Sequence, residues 1–79
     1  MSTVSAALPG VFYRRPSPDQ DPFVEVGGAV REGETIALIE VMKTFTEVKA
    51  ESAGTIGRFL LDDGDEVEAG QELIEVVEA

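Results

Sequence analysis

The sequence predicts an all-β fold in which short strands form two small antiparallel sheets packed face to face. No segment keeps the apolar period of a helix over ten or more residues. The chain also repeats itself, because the pattern Gly-x-x-Val-x-x-Gly-x-x-apolar occurs twice, 37 residues apart. Two similar halves of short strands and glycine turns predict quasi-two-fold symmetry. The matched positions are Gly27, Val30, Gly33, Ile36 and Ile39 in the first copy and Gly64, Val67, Gly70, Leu73 and Val76 in the second.

The first half contains an additional loop. Its first predicted strand, from Gly10 to Arg14, resembles the segment from Gly54 to Arg58 at an offset of 44 residues. The difference between the offsets of 44 and 37 leaves seven extra residues in the first half. They fall where three prolines prevent a helix and remove donors from a sheet ladder, so we expect an ordered, protruding loop. Its residues are Pro16, Ser17, Pro18, Asp19, Gln20, Asp21 and Pro22.

Two apolar, β-branched runs follow, from Thr35 to Val41 and from Thr44 to Ala50. The two residues between them predict a hairpin turn. In the second run apolar and charged residues alternate, which is typical of a strand with one dry and one wet face. Lys43 lies in the turn, whereas Lys49, the only other lysine, lies in the strand. The repeat places this turn and the C-terminal residues 77–79 at opposite ends of the fold.

Length and composition limit the classes of function. A chain of 79 residues predicts one small domain, residues 1–79, with a core from about residue 9 to residue 77. The absence of cysteine and histidine excludes disulfides, thiol nucleophiles, the usual zinc sites and the commonest general base. We therefore expect no metal site and no catalytic activity of its own.

Charge limits the partners. A formal net charge of -10 argues against nucleic acids and anionic membranes, which require clustered lysine and arginine. A charged partner is expected to be basic. The first residues lack a basic segment followed by an apolar stretch, and no apolar run is long enough to span a bilayer. These features predict a cytoplasmic protein.

The residues around Lys43 resemble the modification site of biotin carboxyl carrier domains, in which a Met-Lys pair marks the lysine that receives biotin. The segments 12–19 and 23–27 are similar to the entry and exit of the proline-containing thumb loop in the carrier subunit of bacterial acetyl-CoA carboxylase. The resemblance extends from about Pro9 to Val77. It implies a flattened barrel of two four-stranded antiparallel sheets, a biotinyl-lysine on a tight hairpin turn, and a thumb formed by residues 16–22.

The resemblance also implies a non-catalytic carrier. A biotin protein ligase would attach biotin to Lys43, and the neighbouring residues Glu40, Val41, Met42 and Thr44 would belong to the same cofactor site. Biotin would take up carboxylate at a biotin carboxylase and deliver it at a carboxyltransferase, giving malonyl-CoA for fatty acid synthesis. The thumb would contact the biotin ring.

Two alternatives stay open on the residues. Lipoyl carrier domains of 2-oxo acid dehydrogenase complexes share the implied fold, but they usually have Asp-Lys where this chain has Met42-Lys43, and they generally lack the thumb. In an unmodified interaction module, Lys43 would be an ordinary solvated turn residue. Thr44 departs from the carrier pattern, since most members have methionine or another bulky apolar residue there.

Overall fold

The computed structural model describes residues 2–78. They form eight strands: β1 (Ser2–Ser5), β2 (Gly10–Tyr13), β3 (Ala29–Val30), β4 (Thr35–Val41), β5 (Thr44–Lys49), β6 (Gly54–Phe59), β7 (Glu66–Val67) and β8 (Glu72–Glu78). One sheet has the order β1-β8-β6-β3 and the other β5-β4-β2-β7, with every neighbouring pair antiparallel. The predicted all-β fold of two four-stranded antiparallel sheets is therefore confirmed. No helix of residues 2–78 has the length and apolar character needed to cross a membrane.

The two sheets are built alike, as the repeat predicted. β4 and β8 hold equivalent places next to the edge strands β5 and β1. Turn hydrogen bonds repeat as well: Gly33 donates its N–H to the carbonyl of Ala50 at 2.8 Å, and Gly70 donates to the carbonyl of Ala6 at 2.8 Å. Both glycines have positive φ, +84° and +86°, which only glycine adopts without strain. The glycine spacing read from the sequence is thus the spacing of equivalent turns.

A single hydrophobic core lies between the sheets. Phe12, Ile39 and Ile56 are at most 1% exposed. Burial of each such side chain stabilises the fold by about 1.5–3 kcal/mol. The alternation expected in β5 is also found, because Val48 is buried while the neighbouring Lys49 is exposed. Packing of the inward faces therefore holds the two sheets together.

β1 extends the core beyond its predicted start at about residue 9. Val4 and Ala6 are each 4% exposed, and Val4 pairs with Ile74 on β8. The strand sequence Ser-Thr-Val-Ser has a single apolar residue, so its pattern contains little information. β1 belongs to the sheet because its backbone pairs antiparallel with β8.

The two halves differ most between their second and third strands. In the first half the connection from β2 to β3 covers residues 14–28, and in the second half the connection from β6 to β7 covers residues 60–65. The longer connection contains residues 16–22, the predicted thumb. Its tip is exposed at Pro18, Asp19 and Gln20.

Candidate functional site

The hairpin between β4 and β5 turns at Met42 and Lys43. Val41 and Thr44 form the last pair of the ladder, so two residues make the whole connection. Met42 has a φ of 51° and Lys43 a φ of 66°, and positive φ at both positions is the requirement of a type I′ turn. These are the only non-glycine residues with positive φ within residues 2–78. Left-handed backbone costs an L-residue about 1 kcal/mol or more, and such strain concentrates at functional sites.

The two lysines have different surroundings. Lys43 and Met42 are exposed, and the side chain of Met42 is 93% accessible to solvent. In the described part of the chain no acidic group lies within salt-bridge distance of Lys43. The ammonium nitrogen of Lys49, in contrast, lies 3.7 Å from a carboxylate oxygen of Glu47 on the same strand. Lys43 therefore presents an unpaired amine at the tip of a hairpin.

Gly10 allows β2 to pack closely behind this hairpin. A Cβ atom at Gly10 would lie 2.5 Å from the carbonyl oxygen of Glu40 and 2.9 Å from Cγ2 of Val41. Any side chain there would push on the strand that leads into the turn. The close approach of two backbones thus supports the position of Lys43.

A cavity lies on the outer face of the same sheet, next to the turn. Glu40 and Phe45 are paired across β4 and β5, one step along the ladder from the turn-closing pair. The ring of Tyr13 is tilted against that of Phe45, with centroids 6.3 Å apart. The cavity measures about 300 Å³, at the lower end of the range for small-molecule sites. Its other lining residues are Arg15, Pro16, Ser17, Pro18 and Asp63.

Tyr13 is the ionisable group most affected by this cavity. Desolvation raises the pKa of its phenol, and the charge of Glu40, a hydrogen bond to Glu40 and the charge of Asp63 raise the pKa further. The phenol therefore stays protonated at neutral pH and donates to the Glu40 carboxylate. Tyr13 is the only tyrosine, and the chain has no tryptophan. Its absorbance and fluorescence consequently report on this cavity alone.

The thumb is tied to the second half of the molecule at its base. The Asp63 carboxylate accepts two hydrogen bonds from the start of the thumb. Its Oδ1 accepts the backbone N–H of Arg14, and its Oδ2 accepts the side-chain Nε–H of Arg15 at 3.2 Å. Arg15 also donates to the carbonyl of Gln20 at 3.3 Å, across the loop. The base is closed by the N–H of Phe23, which donates to the carbonyl of Arg14 at 2.9 Å. The loop is thus an ordered structure with attachments at both ends.

A family model described as "Biotin-requiring enzyme" matches residues 2–76, nearly the whole chain. The chain belongs to the biotin/lipoyl family. The family expected from the Met-Lys pair, the repeat and the thumb is therefore confirmed.

Several curated relatives are named as carrier proteins of acetyl-CoA carboxylase. The chain is 37% identical over 76 residues to "Biotin carboxyl carrier protein of acetyl-CoA carboxylase" from Nostoc sp., which covers 96% of this chain and 42% of the relative. The protein of the same name from Haemophilus influenzae is 39% identical, and the match covers 90% of this chain and 46% of the relative. The one from Pseudomonas aeruginosa is 38% identical, and the match covers 96% of this chain and 49% of the relative. The chain thus spans about half the length of these relatives.

Part of a solved structure has the same architecture. Part of the urea carboxylase of Kluyveromyces lactis superposes with a TM-score of 0.79 and 29% sequence identity, covering 96% of this chain and 6% of that one. The biotin/lipoyl fold is therefore present over essentially the whole sequence.

The structure brings together only part of the site predicted for this member of the biotin/lipoyl family. Lys43, Met42 and Thr44 are exposed at the turn and Val41 is half-buried beneath it. Glu40 lies in the cavity with the first three thumb residues, Pro16, Ser17 and Pro18. The other four do not line it: Asp19 and Gln20 are exposed at the tip, and Asp21 and Pro22 line a second cavity.

Gly10, Tyr13, Phe45 and Asp63 were not predicted as site residues from the sequence. Only Phe45 had a local signal. Phe45 alternates in β5 with the same spacing as Glu47 and Lys49, which places an aromatic ring on the solvent-facing side of the strand. The ring is 53% exposed and so gains little from burial. Contacts of the other three depend on pairings with distant strands.

Proposed function

We propose that the chain is the biotin-carrying domain of an acetyl-CoA carboxylase, with biotin attached to the Nζ atom of Lys43. The observation that supports this proposal most directly is the strained Met42-Lys43 turn. Selection for stability alone favours Asn-Gly at such a turn. A long, exposed amine at a strained position therefore supports a role for the amine itself.

The residues around Lys43 fit a biotinyl group. Attachment would form an amide bond between Nζ and the carboxyl carbon of an activated biotin, with departure of the activating group and loss of two of the three protons of the ammonium group. The free amine is accessible for this reaction, and Met42 is exposed beside it as an apolar contact for a ligase. Because the product is a neutral amide, the formal charge of the domain changes by one unit, from -10 to a more negative value.

We expect the biotin ring to bind in the cavity beside the turn. A lysine side chain extended by the valeryl chain of biotin contains about ten single bonds of about 1.5 Å, so the ring can travel roughly 12 Å from the backbone. Glu40 lies three residues before Lys43 in the sequence, which corresponds to about 10 Å of backbone at most. Tyr13 and Phe45 supply aromatic surface, and Glu40 supplies an acceptor for an N–H group.

The proposed carrier has no catalytic step of its own. Bound biotin supplies an atom that takes up a carboxyl group at one active site and releases it at another. The partners would be a biotin protein ligase, a biotin carboxylase and a carboxyltransferase that forms malonyl-CoA for fatty acid synthesis. Tethering one carrier near two active sites raises its effective concentration at both without tight binding.

The domain boundaries and the location are also part of the proposal. Residues 1–79 would act as one carrier module, since both sheets share one core. A cytoplasmic location fits the role, because ATP, bicarbonate and acetyl-CoA are available there. The curated relatives are named as carrier proteins of acetyl-CoA carboxylase, which supports the choice of this carboxylase over other biotin enzymes.

Intact mass after co-expression with a biotin protein ligase tests the proposal. The wild-type protein and Lys49→Arg are expected to gain one biotinyl group each, and Lys43→Arg none. Lys49→Arg is the matched control, because it changes the only other lysine. Biotin found on Lys49, a lipoyl group on Lys43, or an unmodified wild-type protein would each contradict the assignment.

A further inference from the structure

We propose that Asp63 is a positioning residue that holds the thumb over the cavity beside Lys43. The contacts are independent of any bound group, but the purpose assigned to them rests on the proposed function. Asp63 lies in the connection between β6 and β7, in the second half of the chain, whereas the thumb belongs to the first half.

Asp63 makes two contacts with the start of the thumb. Its Oδ1 accepts the N–H of Arg14, which fixes the backbone where β2 ends. Its Oδ2 accepts Nε of Arg15, 3.2 Å away, and Arg15 in turn donates to the carbonyl of Gln20. The Asp63 carboxylate therefore restrains the start of the loop directly and the segment at Gln20 through Arg15.

The Arg15 contact alone would be a weak argument. The side chains of Arg15 and Asp63 are 35% and 36% exposed, and exposed ion pairs contribute little to stability. The bond to the Arg14 backbone is different, because it fixes the main chain and joins segments 49 residues apart. A second attachment lies nearby: the Arg14 guanidinium stacks over the ring of Phe59 on β6, 3.8 Å from its centroid.

The repeat supplies an internal comparison. The position 37 residues before Asp63 is Val26, which follows the thumb in the first half and is 60% exposed. Val26 has no side-chain polar atom and cannot bond a loop. By the symmetry, Val26 would face a thumb in the second half, and the second half has none. Of these two equivalent positions, only the one that faces a thumb therefore carries a carboxylate.

Hydrogen exchange of the unmodified protein tests the positioning role. Asp63→Ala is compared with Asp62→Ala, which removes the same charge from the neighbouring residue. Within residues 2–78 the side chain of Asp62 makes no hydrogen bond to the thumb. The informative amide is that of Gln20, which donates within the thumb to Ser17 at 3.1 Å and does not touch Asp63. We expect its exchange to rise roughly tenfold in Asp63→Ala only, with core amides such as Ile56 unchanged.

Asp63→Asn gives a graded third variant, because its amide oxygen still accepts the Arg14 N–H while the charge facing Arg15 is lost. Exchange at Gln20 is expected to lie between those of wild type and Asp63→Ala. The fluorescence of Tyr13 in the adjoining cavity should change in the same order. Equal exchange in Asp63→Ala and Asp62→Ala, or an increase spread over the core amides, would overturn the proposal.

The biotinylated variants test the purpose of the contact. Asp63→Ala is expected to be biotinylated at the wild-type rate, because Lys43 and Met42 are unaffected, and to transfer carboxyl groups several-fold more slowly than Asp62→Ala. Undiminished transfer with a loosened thumb would refute the role of Asp63. Failure of the wild-type protein to be biotinylated at Lys43 would instead refute the proposed function, and the exchange comparison would still decide whether Asp63 holds the thumb.

Discussion

Replacing Lys43 with glycine should make the domain more stable, although it removes the residue on which the proposed function depends. Relief of left-handed strain at a φ of 66° gains about 1–2 kcal/mol, and the greater flexibility of glycine in the unfolded chain costs about 0.5–1 kcal/mol. The central estimate of the net gain is about 0.5–1 kcal/mol. In a domain of this size, 1 kcal/mol raises the melting temperature by about 4–8 °C, so Lys43→Gly should melt about 2–8 °C higher.

The control for this experiment is Lys49→Gly. Lys49 lies in β5 opposite Thr35, in extended backbone where glycine has no conformational advantage. That variant should lose about 0.5–1 kcal/mol of stability. Thermal and urea unfolding of both variants and the wild type measure the two effects. A Lys43→Gly protein that melts at or below the wild-type temperature would show that the turn stores no strain, and would remove the main support for reading Lys43 as a functional residue.

Three further predictions concern the surroundings of the turn. Gly10→Ala should lower the free energy of unfolding by about 1–3 kcal/mol, because its Cβ meets backbone that cannot move aside; unchanged urea unfolding would contradict the close approach. Ultraviolet titration of Tyr13 should give a pKa above that of free tyrosine, and Glu40→Gln should lower it while Glu32→Gln, a turn variant of equal charge change, should not. Replacement of residues 16–22 by a short glycine-containing turn should leave a folded protein that still accepts biotin but supports little carboxyl transfer; full malonyl-CoA formation would show that the thumb is dispensable.

Most of the fold could be predicted from the sequence, because it depends on short-range patterns that occur twice. Gly33 and Gly70 mark equivalent turns, and Val48 alternates with charged neighbours along one strand. β1 was not predicted as part of the core, since Val4 is its single apolar residue and its place is decided by the edge of β8. A strand of four residues with one inward side chain has too little pattern to be recognised alone.

The site was predictable only where its residues are neighbours in sequence. Met42 and Lys43 form a motif, and their unusual backbone agrees with it. Asp63 meets Arg14 across 49 residues, and no periodicity relates the two positions. The contribution of Tyr13 to the cavity likewise depends on the pairing of β2 with β4, which brings it near Phe45. Tertiary contacts of this kind leave no trace in a single sequence.

The functional features lie where the two halves of the molecule differ. Both sheets have the same strand order, and β4 and β8 end at the equivalent positions Val41 and Glu78. After Val41 the chain turns through the strained pair Met42 and Lys43. The thumb and its acid anchor, Asp63, also occur once, beside the same turn. The second half forms the same arrangement of four strands with the shorter connection 60–65 in place of the thumb, so this arrangement requires neither the thumb nor its anchor. Their concentration around a single lysine is therefore best explained by chemistry at that lysine.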